Sequence, residues 1–452
     1  MSETCDLLVR GATVVSPAGV ARADIAASDG RIARIGPNLD MAAAETVDGR
    51  GLHVIAGIID SHVHFNEPGR TEWEGLETGS SALAAGGGTA FFDMPLNSVP
   101  PVTDAASFAL KRAAAERSSR VDFGIWGGLV PGNDGELEAM RDAGAVGFKA
   151  FMCDSGVYEF PPADAATLRT GMKRAAALGM PVAVHAEDEA LARRMIAEQR
   201  SRGTGVRNWL QSRPVALELE AIRTAVDIAG EMGCALHIVH VSSPEGVALA
   251  RDAKRRGVDV SIETCPHYLL LTEEDVVRLG APAKCFPPLR TEALRLGLWR
   301  ELEEGWIDTI GSDHSPAPPE MKRSEDFFAI WGGISGCQHG FELLLSEALA
   351  RRPPEVALPQ LSARLSENVA HRFRIGRKGR LAEGFDADMT LIDTNDEHSL
   401  SNGELLYRHR QGPYDGRRTR VRIVRTIARG RTVYAQGRIA PGAPSGQFIR
   451  PT

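Results

Sequence analysis

The spacing of apolar positions along this chain changes twice. Up to about residue 50 they alternate in short runs: Asp6 to Val15 around a glycine, Ala23 to Ala27, and Ile32 to Ile35 beyond the Ser28-Asp29-Gly30 turn. A period of two predicts strands, and Asp-Gly between two such runs predicts a hairpin. The same pattern returns over Lys378 to Asp393, Val421 to Ala428 and Arg431 to Tyr434. These two halves are expected to pair into one small β-sandwich built from both termini.

Between the halves, apolar runs of strand length are followed by longer stretches with helical spacing. The predicted strands are Val54–Phe65, Thr89–Pro95, Val121–Leu129, Val146–Met152, Pro181–Glu187, Leu236–Ser242, Val258–Cys265 and Asp308–Asp313. Ala105–Arg117, Ala165–Leu178, Glu218–Met232 and Pro244–Arg256 read as amphipathic helices, and the proline-rich stretches Ser315–Pro319 and Arg351–Pro359 as loops. About eight β/α units predict an α/β fold of the TIM-type (β/α)8 barrel kind. No Gly-x-Gly-x-x-Gly follows the first strand to favour a dinucleotide fold. The expected division is 1–53 for the N-terminal half of the sandwich, 54–374 for the barrel, and 375–452 for the C-terminal half and tail.

Composition narrows the function classes. The 452 residues are 43% hydrophobic and 25% charged, with a formal net charge of −7, which excludes a strongly basic nucleic-acid binder. Nowhere is there a run near the roughly 18–20 apolar residues that a membrane span needs, and the N-terminus lacks a leader pattern, so a cytoplasmic protein is expected. The six cysteines include no Cys-x-x-Cys pair and are expected to be buried thiols.

The sharpest chemical signal is the apolar strand ending Asp60-Ser61-His62-Val63-His64, whose alternation puts both imidazoles on one face. A His-x-His alone is more often incidental than a metal site. Here, however, Lys149, His185, His240 and Asp313 each fall near the C-terminal end of another predicted strand, which in a TIM barrel is the active-site rim. Singly, Lys149 reads equally as half of a buried ion pair, and His185 or His240 as a core histidine. Together, four imidazoles, one aspartate and one lysine exceed the usual one-metal set and suit two ions, the lysine joining them if its amine carries a carboxylate formed from carbon dioxide.

These positions, with Gly147-Phe148-Lys149, His240-Val241-Ser242-Ser243, Glu263-Thr264-Cys265-Pro266-His267-Tyr268 and Ser312-Asp313-His314, resemble the cyclic amidohydrolases over essentially the whole chain. The resemblance implies that His62, His64 and Asp313 hold one divalent ion and that His185 and His240 hold a second. Carboxylated Lys149 would bridge them, and Asp313 would be the catalytic proton carrier for a bridging hydroxide. Zinc is the first expectation, with manganese, cobalt or iron suited to the same ligands. The resemblance further implies a homotetramer or dimer.

Within the family, the loops separate the substrates. Dihydroorotases carry a carboxylate-clamping arginine where this chain has Asn66, and hydantoinases or dihydropyrimidinases a tyrosine five residues past the lysine, where this chain has Asp154. The segments Glu67-Pro68-Gly69-Arg70, Asp93-Met94-Pro95-Leu96-Asn97, Asp313-His314-Ser315-Pro316 and Trp331-Gly332-Gly333-Ile334-Ser335-Gly336 resemble the allantoinases, which implies allantoin as substrate and allantoate as product. Asn97 reads either as a polar substrate contact or as a turn residue, and Phe286 and Ser335 are expected to meet the ring through backbone groups. His267 and His314 read either as partners that orient ligands or as structural histidines. The basic residues Arg408, His409, Arg410, Arg417 and Arg418 read as a solvated patch.

Overall fold

The computed structural model describes residues 3–16 and 19–452; the N-terminal reading above begins at Met1 and Ser2, outside that range. Strands β1 (Glu3–Ser16), β2 (Gly19–Ser28), β3 (Arg31–Gly36), β4 (Met41–Asp48) and β5 (His53–Ala56) form the N-terminal half of one sheet. The β2–β3 hairpin turns through Asp29 (φ 52°) and Gly30 (φ 75°), the left-handed pair that a two-residue turn needs.

The barrel follows as β6 (Ile58–Val63), β7 (Gly88–Asp93), β8 (Asp122–Ile125), β9 (Gly127–Gly128), β10 (Phe148–Phe151), β11 (Val182–His185), β12 (Leu236–Ile238), β13 (Val260–Thr264) and β14 (Thr309–Ile310). All neighbouring pairs are parallel. β8 and β9 are one run interrupted at Trp126, whose amide returns to Asp93 O (3.0 Å) while Gly127 N goes on to Gly147 O (3.0 Å). A parallel bridge between Val63 and His314, with His64 N donating to His314 O at 2.8 Å, closes the ring of eight.

The helices lie where periodicity predicted them, and their starts are chemically marked. Asp104 and Asp164 accept from the third amides of Ala105–Ser118 and Ala165–Ala177, and Ser243 with Pro244 opens Pro244–Arg255. One face of the strands packs on these helices. The other fills the barrel with Ile59, Phe92, Trp126, Ala183 and Phe373.

Three expectations change. The predicted strand Val54–Phe65 is two strands, broken at Gly57, where a Cβ would lie 2.3 Å from Thr89 Oγ1. β5 belongs to the terminal sheet and β6 to the barrel. The segment Arg351–Pro359 is largely helical: Pro354 opens helix Pro354–Ser362, where its missing N–H is not needed. The C-terminal run from Lys378 becomes a strand only at β15 (Met389–Asp393).

Beyond β15, β16 (His398–Ser399) pairs with β17 (Arg418–Thr419), and β18 (Arg422–Ala428), β19 (Arg431–Ala435) and β20 (Arg438–Ile439) complete the terminal sheet. Its order is β20-β19-β18-β15-β5-β1-β2-β3, with β4 on β1, so the chain ends join through the antiparallel β5–β15 pair.

The Lys378–Asp388 stretch stays irregular because it carries a buried cation. Lys378 Nζ sits 2.7 Å from Asp122 Oδ2 on β8, 2.6 Å from Asp388 Oδ2 and 3.2 Å from Asp386 Oδ2, and Arg429 reaches Asp122 Oδ1 at 2.9 Å. This cluster ties the terminal sheet to the barrel. Removing the ammonium strands several carboxylates in the interior, so Lys378→Met is expected to destabilise the fold by roughly 3–5 kcal/mol in urea unfolding. A loss below about 1 kcal/mol would mean that water already screens the cluster.

Candidate metal centre

His62 lies inside β6 and His64 one residue past its end. Their Nε2 atoms converge on Asp313 Oδ1 at 3.2 and 3.5 Å. Asp313, three residues beyond β14, adopts φ 47°, and His240, two residues beyond β12, φ 41°. Left-handed backbone at non-glycine residues is costly and recurs where side chains must be aimed at a site. His185 ends β11, and its Nδ1 faces His240 Nε2 at 3.0 Å. The rings of His62 and His240, 5.5 Å apart, join the two groups.

Lys149, the second residue of β10, stands among them fully buried, and its Nζ has no hydrogen-bond partner. Burial pulls its pKa down to about 7, against the partial support of Asp313 and Glu263. His64 is lowered to about 4 by burial, and His240 well below its ordinary value for the same reason. Neutral imidazole is the form that binds metal. The structure thus brings together all six residues singled out in the sequence, with bare donor atoms facing one another. Ligand atoms of His62, His64 and Asp313 lie within 4.8 Å of each other, a donor set that fits a divalent cation.

Carboxylates behind the histidines fix their orientation. Glu263 on β13 accepts from His62 Nδ1 (2.9 Å), Ser61 Oγ and His237 Nε2 (3.3 Å). Burial alone would raise its pKa, but the His237 and His62 contacts hold it well below the usual carboxylate range. Glu187 meets His185 Nε2 at 2.9 Å and takes a hydrogen bond from Arg213 at 2.6 Å. Burial is outweighed there too, and Arg213 and His185 keep its pKa at about 2. With Nε2 so engaged, His185 presents Nδ1 to the site, and with Nδ1 engaged, His62 presents Nε2. The sequence reading quoted Glu263 within a motif without giving it a role, and missed Glu187 and Arg213. The available signal for Glu187 was a carboxylate two residues after a strand-end histidine.

A cavity of about 420 Å³ opens beside His185, lined by Phe151, Cys153, Asp154, Arg213, Phe286 and Trp331. Phe286 therefore borders the site, with the Arg213 guanidinium 4.3 Å over its ring. Asn97 is buried, with φ 69° and its Nδ2 3.4 Å from His64 Nδ1. Ser335, also buried, follows Ile334, which bridges to His314 beside Asp313. His267 is buried with neither ring nitrogen hydrogen-bonded. A larger cleft of about 850 Å³, at the Lys378 junction, holds none of these residues.

A closed parallel barrel carries these candidate ligands at its C-terminal rim, and the family model described as "Amidohydrolase family" matches residues 53–433. The chain belongs to the amidohydrolase family. Over 99% of its length it is 53% identical to an allantoinase of Rubrobacter xylanophilus and 51% identical to one of Solibacter usitatus, covering 98% and 97% of those proteins. Among solved structures it superposes on an L-hydantoinase (dihydropyrimidinase) from Arthrobacter aurescens with a TM-score of 0.95 at 33% identity, covering 99% of this chain and 100% of that one. A D-hydantoinase from Thermus sp. gives 0.91 at 27% identity, with 98% of both chains covered.

Glu263→Ala would free the His62 ring and is expected to weaken divalent-ion binding by about 10–100-fold, read by competition with a chelator. Unaltered affinity would show that β6 alone orients the ligand.

Proposed function

We propose that this chain hydrolyses the cyclic amide of allantoin, opening the hydantoin ring to allantoate in purine catabolism. The observation that carries this reading is the convergence of His62, His64 and Asp313, His185 and His240, around an amine with no partner. In it, His62, His64 and Asp313 hold one divalent ion and His185 and His240 the second. Lys149, its amine carboxylated by carbon dioxide, would supply an anionic ligand to both. Zinc is the first choice, with manganese, cobalt or iron compatible with the same ligands. Such ions supply Lewis-acid activation of a water and of the scissile carbonyl.

The chain's own residues do the rest. Asp313 carries a proton to the departing ring nitrogen, and its pKa of about 2 keeps it ionised to receive one, burial being offset by His62 and His64. Asn97, fixed beside His64, orients the substrate by its amide, and the backbone around Phe286 and Ser335 meets the ring. Glu187 and Glu263 hold the imidazoles.

The loops support allantoin over other rings. Asn66 donates to Pro316 O at 3.4 Å, and Arg70 spends Nη1 on Asn97 O at 3.2 Å, so neither forms the bidentate clamp that a dihydroorotate carboxylate needs. Asp154 lies where hydantoinases place a tyrosine, and Tyr158, four residues further on, is 97% exposed to solvent. The division at residues 53 and 374, a homotetrameric or dimeric state, and a cytoplasmic location without nucleic-acid or membrane partners complete the proposal. Among the described residues no helix is long and apolar enough to cross a membrane.

The deciding experiment is parallel turnover of metal-loaded protein on allantoin, hydantoin, dihydrouracil and dihydroorotate. Allantoin should be opened fastest. A clear preference for another ring would overturn the substrate assignment, and no turnover of any would favour an inert homologue. Asp313→Asn should cut kcat by at least about 10³-fold. Lys149→Ala should lose metal and activity together, with partial rescue by short-chain carboxylates; full activity without rescue would rule out the bridging role.

A further inference from the structure

The segment from Tyr407 to Gln411, whose Arg408, His409 and Arg410 read from sequence as part of a solvated basic patch, reaches across to two loops of the barrel rim. His409 Nε2 contacts Glu72 O at 2.8 Å, and Gln411 Nε2 donates to Ala317 O at 2.8 Å. Arg408 binds Glu74 twice, its N to Oε1 at 3.1 Å and its Nε to the carbonyl at 2.7 Å. Glu72 and Glu74 lie in the loop after β6, which carries His62 and His64, and Ala317 is in the loop after β14, which carries Asp313.

Glu74 and Tyr407 meet at His314, the residue after Asp313. His314 Nδ1 accepts from Gly336 N at 3.1 Å, which leaves Nε2 as the nitrogen turned to the interior. That nitrogen faces Glu74 Oε2 at 3.8 Å; both atoms are buried, and neither has a hydrogen-bond partner. The Tyr407 ring packs on the imidazole with centroids 4.7 Å apart, and Phe65 meets it edge-on at 5.9 Å. Tyr407 itself is pinned, its hydroxyl accepting from Gln338 N at 2.9 Å. The main chain of His314 closes the barrel against His64. Little freedom is left to the ring or to the left-handed turn at Asp313 that precedes it.

We propose that Glu74 and Tyr407 are positioning residues for ring opening: the C-terminal segment clamps His314 between them and thereby sets the direction of the Asp313 carboxylate. Neither touches the reacting atoms. A carboxylate that must swing between a water and a leaving nitrogen tolerates little misplacement, since an error of about 1 Å costs on the order of 10²-fold in rate.

The inference rests on the ring-opening reading, so the assay uses whichever cyclic amide the unaltered protein opens fastest; a change of substrate would then revise the proposed function without touching this test. Glu74→Gln, nearly isosteric, and Tyr407→Leu are each expected to lower kcat about tenfold, with KM within about twofold and metal per chain unchanged. Because both act through one imidazole, the double variant should be about as slow as the slower single variant. Tyr407→Phe keeps the ring and should recover most of the lost kcat. The proposal is overturned if folded, metal-loaded Glu74→Gln keeps kcat within twofold, or if the two losses multiply. Should Tyr407→Leu fail to fold, Glu74→Gln and Tyr407→Phe carry the test: a tenfold loss in the first with near-normal kcat in the second supports the clamp.

Discussion

An amine buried at the centre of a barrel without a hydrogen-bond partner is the constraint on which the site depends. A bare ammonium there is unfavourable, and burial pulls Lys149 towards its neutral form. Two ring nitrogens, His185 Nδ1 and His240 Nε2, face each other beside it, and two more aim at one oxygen of Asp313. So many donor atoms directed at one another do little for stability by themselves. They make sense as one side of a set of bonds whose other side is cationic.

The barrel supplies the rigidity this arrangement needs, and it does so through carboxylates that never face the substrate. Glu263 holds three neighbours, and Glu187 stands between Arg213 and His185. Each fixes which nitrogen of a histidine is free. The left-handed turns at Asp313 and His240 are borne by backbone hydrogen bonding at the strand ends, including the His64–His314 pair that closes the ring. Fold closure and site geometry are thus one feature: the last bond of the barrel joins the loop of one ligand pair to that of the aspartate.

Much of this was legible in the sequence, for a definite reason. Polar residues at strand ends follow short apolar runs, so His62, His64, Lys149, His185, His240 and Asp313 could each be placed on the rim by local pattern, and the β/α alternation arranged the rims together. What escaped was whatever depends on contacts between distant parts of the chain. Gly57 breaks a continuous apolar run because Thr89 lies against it, which no local window reveals. Glu263 sits 201 residues from the histidine it holds, and Arg213 26 residues from Glu187. Lys378 is charged and flanked by glycine, so it reads as exposed until the fold surrounds it with Asp122, Asp386 and Asp388.

The basic C-terminal segment shows the same limit in reverse. Local composition assigns Arg408 and His409 to solvent, where arginine and histidine usually belong. Arg408 does stay exposed and His409 half-buried, yet the segment binds the rim: the Arg408 amide donates to one oxygen of Glu74, which is fully buried. Rim loops on separate strands keep some freedom even where they touch one another, as Asn66 does at Pro316 O. A segment from outside the barrel that binds two of them at once removes that freedom. The chain ends join in one sheet that is anchored at the start of β8 through Asp122, and the β16–β17 connection separately reaches the rim. On the proposed clamp, the connection between β16 and β17 then serves ring opening as well as stability, because its contacts reach the residue beside Asp313.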